Sequence, residues 1–137
     1  MGVVEGYLAG GVNINVLDKD EYSPLWLAIK NSNFHIAKLL LDAGANLDIG
    51  GGTLGGPLHI SVYKGEIWLV RDLIKRNVDV NCKDSDGNTA LHIVLSVFNK
   101  FKRKSKLIAD MLLKAGSLVN DKNKNHWTPI HLASRRG

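Results

Sequence analysis

The sequence has few of the features that stabilise small secreted domains or membrane spans. Its single cysteine, Cys82, cannot form an internal disulfide, which favours a reducing compartment. No apolar run approaches the 18 or so residues of a membrane span, and the N-terminus lacks a basic segment followed by an apolar stretch. We therefore expect an intracellular, cytoplasmic protein, with the nucleus as an alternative location.

Extremes of composition are also absent. The 137 residues are 45% hydrophobic and 23% charged, which is ordinary globular usage and excludes a wholly disordered or collagen-like chain. This length predicts one domain, residues 1–137. The net charge of +5 permits an acidic partner, nucleic acid or a membrane surface, but it requires none of them unless the charges cluster.

An internal repeat dominates what is present. Four similar segments begin 33, 33 and 39 residues apart, at Ser23, Gly56, Thr89 and Thr128. A second set of similar segments begins twelve residues before each of the first, at Gly11, Gly44, Asn77 and Gly116. Such a period predicts an array of stacked units.

Each unit carries signals for two helices. A hydroxyl residue that can cap a helix, or a proline suited to its first position, marks each start: Ser23, Thr89 and Thr128, then Pro24, Pro57 and Pro129. We expect a short inner helix that ends near Ser32 or Gly65. A second, outer helix follows, and it should end at residues that tolerate a left-handed backbone: Gly44, Asn77 and Gly116.

The repeated segments resemble the T-P-L-H-x-A signature of the ankyrin repeat, and the resemblance covers essentially the whole chain. It implies an all-α repeat solenoid of paired antiparallel helices with projecting β-hairpin fingers. The expected divisions are a partial repeat 1–22, repeats 23–55, 56–88 and 89–127, and a partial repeat 128–137. Apolar residues near both ends would remain uncovered, so we expect a monomeric fragment of a longer solenoid.

No residue pattern points to catalysis, a metal or a cofactor. His59, His92 and His131 occupy one repeat position, where the resemblance implies hydrogen bonds that tie neighbouring repeats together; Trp26 replaces this histidine in the first unit. His35 and His126 lack partners at metal-ligand spacing. The glycine run 50–56 lacks the Lys-Ser/Thr of a phosphate-binding loop, and the register places it at a finger. We therefore expect a protein that is not an enzyme.

The resemblance implies that a protein or peptide partner binds along the concave surface of finger tips and inner helices. The residues that map to this surface are Lys19, Asp20, Tyr22, Tyr63, Lys64, Ser85, Asp86, Asn88, Lys124, Asn125, Trp127, Arg135 and Arg136. Tyr22 and Trp127 are the strongest candidates, because each immediately precedes a signature and aromatic residues dominate binding hot spots. Packing of each ring against the neighbouring finger is the alternative.

The 39-residue spacing adds six residues, which we expect between the two helices of the third unit. This insertion, residues 98–106, contains the basic patch: Lys100, Lys102, Arg103, Lys104 and Lys106. It is either a solvated loop or a docking site for an acidic partner, anionic lipid or nucleic acid. A further alternative is that the whole chain is a regulatory or targeting segment of a larger enzyme, channel or receptor.

Two finger asparagines are candidates for modification. The resemblance implies asparaginyl hydroxylation where a leucine lies eight residues earlier, as Leu73 does for Asn81 and Leu112 does for Asn120. The alternative is a structural role in which these side chains bridge the fingers.

Overall fold

Six α-helices form three consecutive pairs in the computed structural model, which describes residues 14–48, 50–97 and 102–128. The inner helices are α1 (Pro24–Lys30), α3 (Pro57–Lys64) and α5 (Ala90–Ser96). The outer helices are α2 (Phe34–Asp42), α4 (Ile67–Lys75) and α6 (Lys102–Lys114). This arrangement confirms the all-α repeat solenoid.

The helix boundaries lie where the capping residues predict them. Ser23 Oγ accepts a hydrogen bond from Trp26 N at 3.1 Å, and Thr89 Oγ1 accepts one from His92 N at 3.4 Å. Each outer helix is followed after one residue by a left-handed position: Gly44 at φ 88°, Asn77 at φ 64° and Gly116 at φ 101°. Glycine and asparagine adopt this conformation at low cost, which is why the chain can turn there.

The hydrophobic core consists of successive layers between helix pairs rather than one central cluster. Inner helices pack against inner helices and α4 packs against α6, while the helices of each pair also contact one another. Leucine, isoleucine, valine and alanine side chains fill the layers between units, including Leu25, Ile29, Leu41, Leu69, Leu73 and Leu112. Each unit is therefore stabilised both by the packing of its own two helices and by its neighbours, as in other repeat proteins.

The fingers are built on side-chain turns. Asp18, Asp84 and Asn123 each accept hydrogen bonds through Oδ1 from the backbone N–H groups two and four residues further on, at 2.9–3.0 Å. Neighbouring fingers are joined by Ser85 N to Thr53 O at 3.1 Å and Lys124 N to Asp86 O at 2.8 Å. In the part of the chain that the structure describes, the fingers contain one isolated antiparallel bridge, Tyr22 with Gly51, and no longer ladder.

The basic insertion differs from the expected loop. Helix α6 begins at Lys102 and has 13 residues, against nine in α2 and α4, so most of the six additional residues extend the outer helix. Lysine and arginine are good helix formers, and Ser105, Ile108 and Leu112 lie on one buried face of α6. Lys102, Arg103, Lys104 and Lys106 are therefore exposed residues of the first turns of a helix, whereas Phe98, Lys100 and Phe101 lie outside the described residues.

Candidate functional site

Two of the repeated histidines connect neighbouring units. His59 Nε2 lies 2.9 Å from Asn88 O, and His92 Nε2 lies 2.9 Å from Trp127 O. On the other side of each ring, Nδ1 accepts from the backbone N–H at the start of the same helix. Burial lowers the pKa of His59, so this ring is held neutral as a structural connector. His131 lies outside the described residues.

Trp26 occupies the corresponding position in the first unit and breaks this pattern. Its side chain is 1% exposed, and its Nε1–H is buried without a hydrogen-bond partner among the residues that the structure describes. The counterpart of Asn88 in this unit is Gly55, 33 residues earlier, and no hydrogen bond joins the indole to the carbonyl of Gly55. In the first unit a large buried side chain therefore fills the position from which histidine makes a hydrogen bond to the next finger in the other two units.

The glycine finger, residues 50–55, fits around this indole. A Cβ on Gly51 would collide with Trp26 Nε1 and Gly55 O, and a Cβ on Gly50 would collide with Ser23 Oγ. The finger turns through a 3₁₀ segment, Gly52–Leu54, in place of the side-chain turn of the other fingers. As a result Leu54 stands outward with 51% of its surface exposed.

Tyr22, Trp26 and Lys30, spaced by four residues, form a cluster around the first inner helix. The rings of Tyr22 and Trp26 stack with centroids 4.6 Å apart and an interplanar angle of 8°. Lys30 Nζ lies 5.7 Å from each ring centroid. Tyr22 is thus half-buried, and its ring packs on Trp26 of α1, where it also helps to place an exposed ammonium group.

A groove of about 630 Å³ runs along the concave side, between the fingers and the three inner helices. Its walls are mostly apolar, with a few polar and charged groups: Trp26, Lys30, Leu54, His59, Ile60, Tyr63, Lys64, Asp84, Ile93 and Ser96. Tyr63 presents 58% of its surface to solvent there. A concave, largely apolar site with few polar groups is typical of binding sites.

The structure brings together some of the residues predicted from sequence and leaves others apart. Tyr63 and Lys64 line the groove. Lys19, Asp20, Ser85, Asp86, Lys124 and Asn125 are exposed at finger tips, and Asn88 and Trp127 are half-buried there. Arg135 and Arg136 lie outside the described residues.

Several residues that line the groove are not predicted from the sequence. The repeat identifies Trp26 only as a substitute for histidine, and it does not assign Lys30, Leu54, Ile60 or Ile93 to the site. Two signals are present in the sequence: Trp26 interrupts the repeated histidine, and Leu54 is the one large apolar residue of the glycine finger. The other residues depend on helix packing, because inward and outward faces of a seven-residue helix are not separable from sequence alone.

The finger asparagines differ in their surroundings. Asn81 Nδ2 donates to Gly116 O at 3.2 Å, and its Oδ1 accepts from Leu118 N at 2.8 Å. Asn15 makes the equivalent contact two units earlier, accepting from Asn46 N at 2.7 Å. Asn81 therefore bridges neighbouring units, whereas Asn120 is exposed.

A second charged surface lies on the outer helices. The first turns of α6 carry exposed cations, and a shallow crevice of about 290 Å³ separates the C-terminal end of α6 from α4. Its lining contains three cations and three apolar residues: Arg71, Lys75, Lys114, Ile74, Met111 and Ala115. No carboxylate of the described residues lines it, so it is an electropositive surface with an apolar floor.

Trp68, on the outer side of α4, packs edge-on against Phe34, with ring centroids 5.6 Å apart. It remains 38% exposed. Its ring therefore links α2 to α4 and still offers surface for contact.

Metal binding and thiol chemistry find little support in the arrangement of side chains. Nowhere in residues 14–48, 50–97 and 102–128 do three His, Cys, Asp or Glu side chains come together to hold a metal ion. Burial, with the nearby charges of Asp48 and Asp79, raises the pKa of Cys82, which leaves its thiol weakly reactive.

None of the helices described combines the length and apolar character needed to cross a membrane.

Comparison with known proteins agrees with this architecture. The pattern of ankyrin repeats, in three copies, matches residues 2–84 and 58–137. The chain belongs to the ankyrin-repeat family. Ankyrin repeats are generally protein-interaction modules and are generally non-catalytic.

Individual ankyrin-repeat relatives are distant. The chain is 32% identical, over 98% of its length, to the nuclear factor NF-kappa-B p105 subunit of Gallus gallus, of which it covers 14%. It is 33% identical, again over 98% of its length, to a putative ankyrin repeat protein of fowlpox virus, of which it covers 17%. It is 31% identical over 88% of its length to the transient receptor potential cation channel subfamily A member 1 of Homo sapiens, of which it covers 10%. The chain thus spans less than a fifth of these relatives.

Proposed function

We propose that this ankyrin module binds a protein or peptide partner on the concave surface of fingers and inner helices, without catalysis of its own. The observation that carries the proposal is the groove of about 630 Å³ between the fingers and α1, α3 and α5. The single, weakly reactive cysteine suits a reducing intracellular compartment, where we place the protein.

Exposed apolar surface in the groove supports the proposal. Leu54 and Tyr63 are each more than half exposed although they lie in a concave site. Burying such side chains against a partner is favourable, by about 25 cal/mol per Å² of apolar area. Hot spots of binding are enriched in tyrosine and tryptophan, and Tyr22 and Trp127 lie at equivalent finger positions.

An affinity capture from cell extract tests the site with two matched variants. The groove variant is Leu54→Ala with Tyr63→Ala. The control is Leu107→Ala with Leu113→Ala, which removes comparably exposed apolar side chains from the outer helix α6. Circular dichroism and urea unfolding first establish that both variants fold. We expect the groove variant to lose a protein partner that the wild type and the control both retain.

Loss of the partner in the control alone would place the site on the outer helices and contradict the concave-surface proposal. The double variant Tyr22→Ala with Trp127→Ala, tested in parallel, shows whether the finger aromatics contribute. We expect it to weaken capture, because Tyr22 packs on the groove residue Trp26 and Trp127 occupies the equivalent finger position.

Electrostatic docking through the outer helices is a second candidate function. It is favoured by the exposed cations Lys102, Arg103, Lys104 and Lys106, and by the cation-lined crevice beside α6. Its partner would be acidic protein, anionic lipid or nucleic acid. Changing these four cations to Gln should then abolish binding, and affinity should fall steeply with salt, in proportion to the charges neutralised. Binding in the concave groove should depend only modestly on salt.

In a third candidate function, the groove binds a partner segment that belongs to the same, longer protein. The chain spans less than a fifth of the relatives described above, one of which is a cation channel. The module would then be a regulatory or targeting segment of a larger enzyme, channel or receptor, with its partner within the same protein. Sequencing the full open reading frame tests this directly, since a catalytic or membrane-spanning region would support it.

A further inference from the structure

We infer that the concave groove selects a peptide segment by two features, a large apolar side chain that seats against Leu54, Ile60 and Tyr63, and a nearby carboxylate that pairs with Lys30. This inference rests on the proposed function and adds the chemical class of the partner.

The apolar requirement follows from the walls of the groove. Its base is formed by Ile60, Ile93 and the indole of Trp26, and Leu54 and Tyr63 stand at its edges. The volume of about 630 Å³ lies within the usual range of about 300–1,000 Å³ for ligand sites. Few hydrogen-bonding groups face it, so a polar side chain placed there would lose its water without replacement.

The acidic requirement follows from the distribution of charge along the groove. Lys30 and Lys64 are the last residues of α1 and α3, and Asp84 is the one carboxylate that the described residues contribute to the lining. Asp84 Oδ1 already accepts from Asp86 N and Asn88 N in the third finger. The groove therefore has a positive end at the helix termini and a negative end at the finger, which orients an acidic residue of the partner towards the helices.

The two lysines at the positive end are not equivalent. Lys64 Nζ donates to Ile29 O at 3.0 Å, to Lys30 O at 2.8 Å and to Ser32 Oγ, so its three donors are used to close the end of α1. Lys30 makes cation–π contacts with Tyr22 and Trp26, as Lys64 does with Phe34, but its Nζ makes no hydrogen bond among the residues that the structure describes. Its N–H donors therefore remain available to a carboxylate, and a charge-assisted hydrogen bond is the strong kind.

Trp26 is the residue that makes this site particular to the first unit. It lies four residues before Lys30 and four after Tyr22, and the Lys30 ammonium group lies 5.7 Å from the centroids of both stacked rings. A histidine here would be committed, as His59 is, to a hydrogen bond with the next finger. Trp26, which is buried beneath the groove, supports its floor and helps to fix the position of the Lys30 charge.

Selection from random peptides tests the inference while the partner itself is unidentified. The full chain is panned against a phage library of random dodecapeptides, and the enriched peptides are synthesised and titrated by isothermal titration calorimetry. We expect enriched peptides to share a Phe, Trp, Leu or Ile within a few positions of an Asp or Glu. Tyr63→Ala should weaken their binding, since it removes one wall of the groove.

Neutralising either member of the proposed ion pair identifies the contact. Lys30→Gln should lower affinity by about tenfold, the scale of one charge-assisted hydrogen bond. A peptide whose acidic residue is changed to its amide should bind the wild type and Lys30→Gln equally. Lys75→Gln, which removes an exposed lysine from the outer helix α4, is the matched control and should leave affinity unchanged.

The inference is overturned by any of three results: no enriched peptide, enriched peptides without a common acidic residue, or affinity that is indifferent to Lys30→Gln. Acidic peptides that depend on Lys102 to Lys106 rather than on Tyr63 would also overturn it. If the groove variant still loses its partner from extract while any of these results holds, the proposed function stands and only the partner chemistry is wrong. If the groove variant retains that partner, the proposed function fails as well.

Discussion

The indole of Trp26 and the ring of Tyr22 stack almost parallel, with centroids 4.6 Å apart. The indole stands at the position where the next two units carry a histidine bonded to the following finger. The substitution requires room, and the glycine finger provides it because Gly51 contacts the indole where any side chain would collide. Trp26 and the glycine finger therefore form one structural adaptation.

A methyl group at Gly51 tests this adaptation. The backbone of Gly51, at φ −114°, is open to alanine, so the cost of Gly51→Ala comes from its collision with Trp26 and the Gly55 carbonyl. We expect the free energy of unfolding to fall by about 2–3 kcal/mol, typical of overpacking. Urea unfolding followed by circular dichroism measures it. In a Trp26→His background the same change should cost less, and an equal cost in both backgrounds would show that the indole is not what the glycine accommodates.

Removal of the His59 ring should destabilise the stack of units. The ring makes contacts at Gly56 N, 3.2 Å, and Asn88 O, 2.9 Å, and it is 2% exposed. We expect His59→Ala to lower the free energy of unfolding by at least about 2 kcal/mol, because it leaves buried polar groups unpaired and a cavity behind. The control is His35→Ala, at an exposed position of α2, which should change stability by no more than about 0.5 kcal/mol. Equal effects of the two changes would contradict a connecting role for His59.

The same histidine should make stability depend on pH. Burial lowers the pKa of His59 in the folded protein, so the unfolded chain binds the proton more readily. Its contribution is therefore complete above the unfolded pKa of about 6.5 and is lost as the pH falls from there through the folded pKa. Urea unfolding between pH 7.5 and pH 5 should show a larger loss of stability on acidification for the wild type than for His59→Gln. A wild type and variant that lose stability in parallel would count against this origin.

The two finger asparagines should respond differently to truncation. Asn81→Ala removes hydrogen bonds to Gly116 O and Leu118 N, and we expect a loss of about 1–2 kcal/mol in the free energy of unfolding. Asn120→Ala, at an exposed position, should be close to neutral. If both asparagines are hydroxylated as the family resemblance implies, mass spectrometry after limited exposure to an asparaginyl hydroxylase should find Asn120 modified before Asn81. Faster modification of Asn81 would show that its bridge does not protect it.

Most of the fold could be predicted from the sequence because the signals repeat. Ser23 and Thr89 cap helices as their position indicates, and Gly44, Asn77 and Gly116 follow the outer helices in left-handed conformation. Such local preferences are weak in one copy but consistent across three. The basic insertion was the exception, because a run of lysine and arginine is compatible with either a loop or a helix until the buried face of α6 is known.

The candidate site was harder to predict than the fold. Tyr63 and Lys64 line the groove, but Tyr22 proved to be half-buried on Trp26, and the sequence gives no sign that Lys30 and Ile93 belong to the site. These residues lie tens of positions apart along the chain. Their proximity depends on how each unit stacks on the next, which no single segment encodes.

The sequence by itself therefore determined the repeat, the helix boundaries and membership of the ankyrin-repeat family, since these depend on local backbone preferences and on a period visible in the residues. Only the tertiary structure decided which side chains share the groove, that Lys64 is occupied while Lys30 is available, and that Trp26 is accommodated by glycine. The physical reason is that these properties arise from contacts between units, where burial, charge and space are set by neighbours distant in sequence.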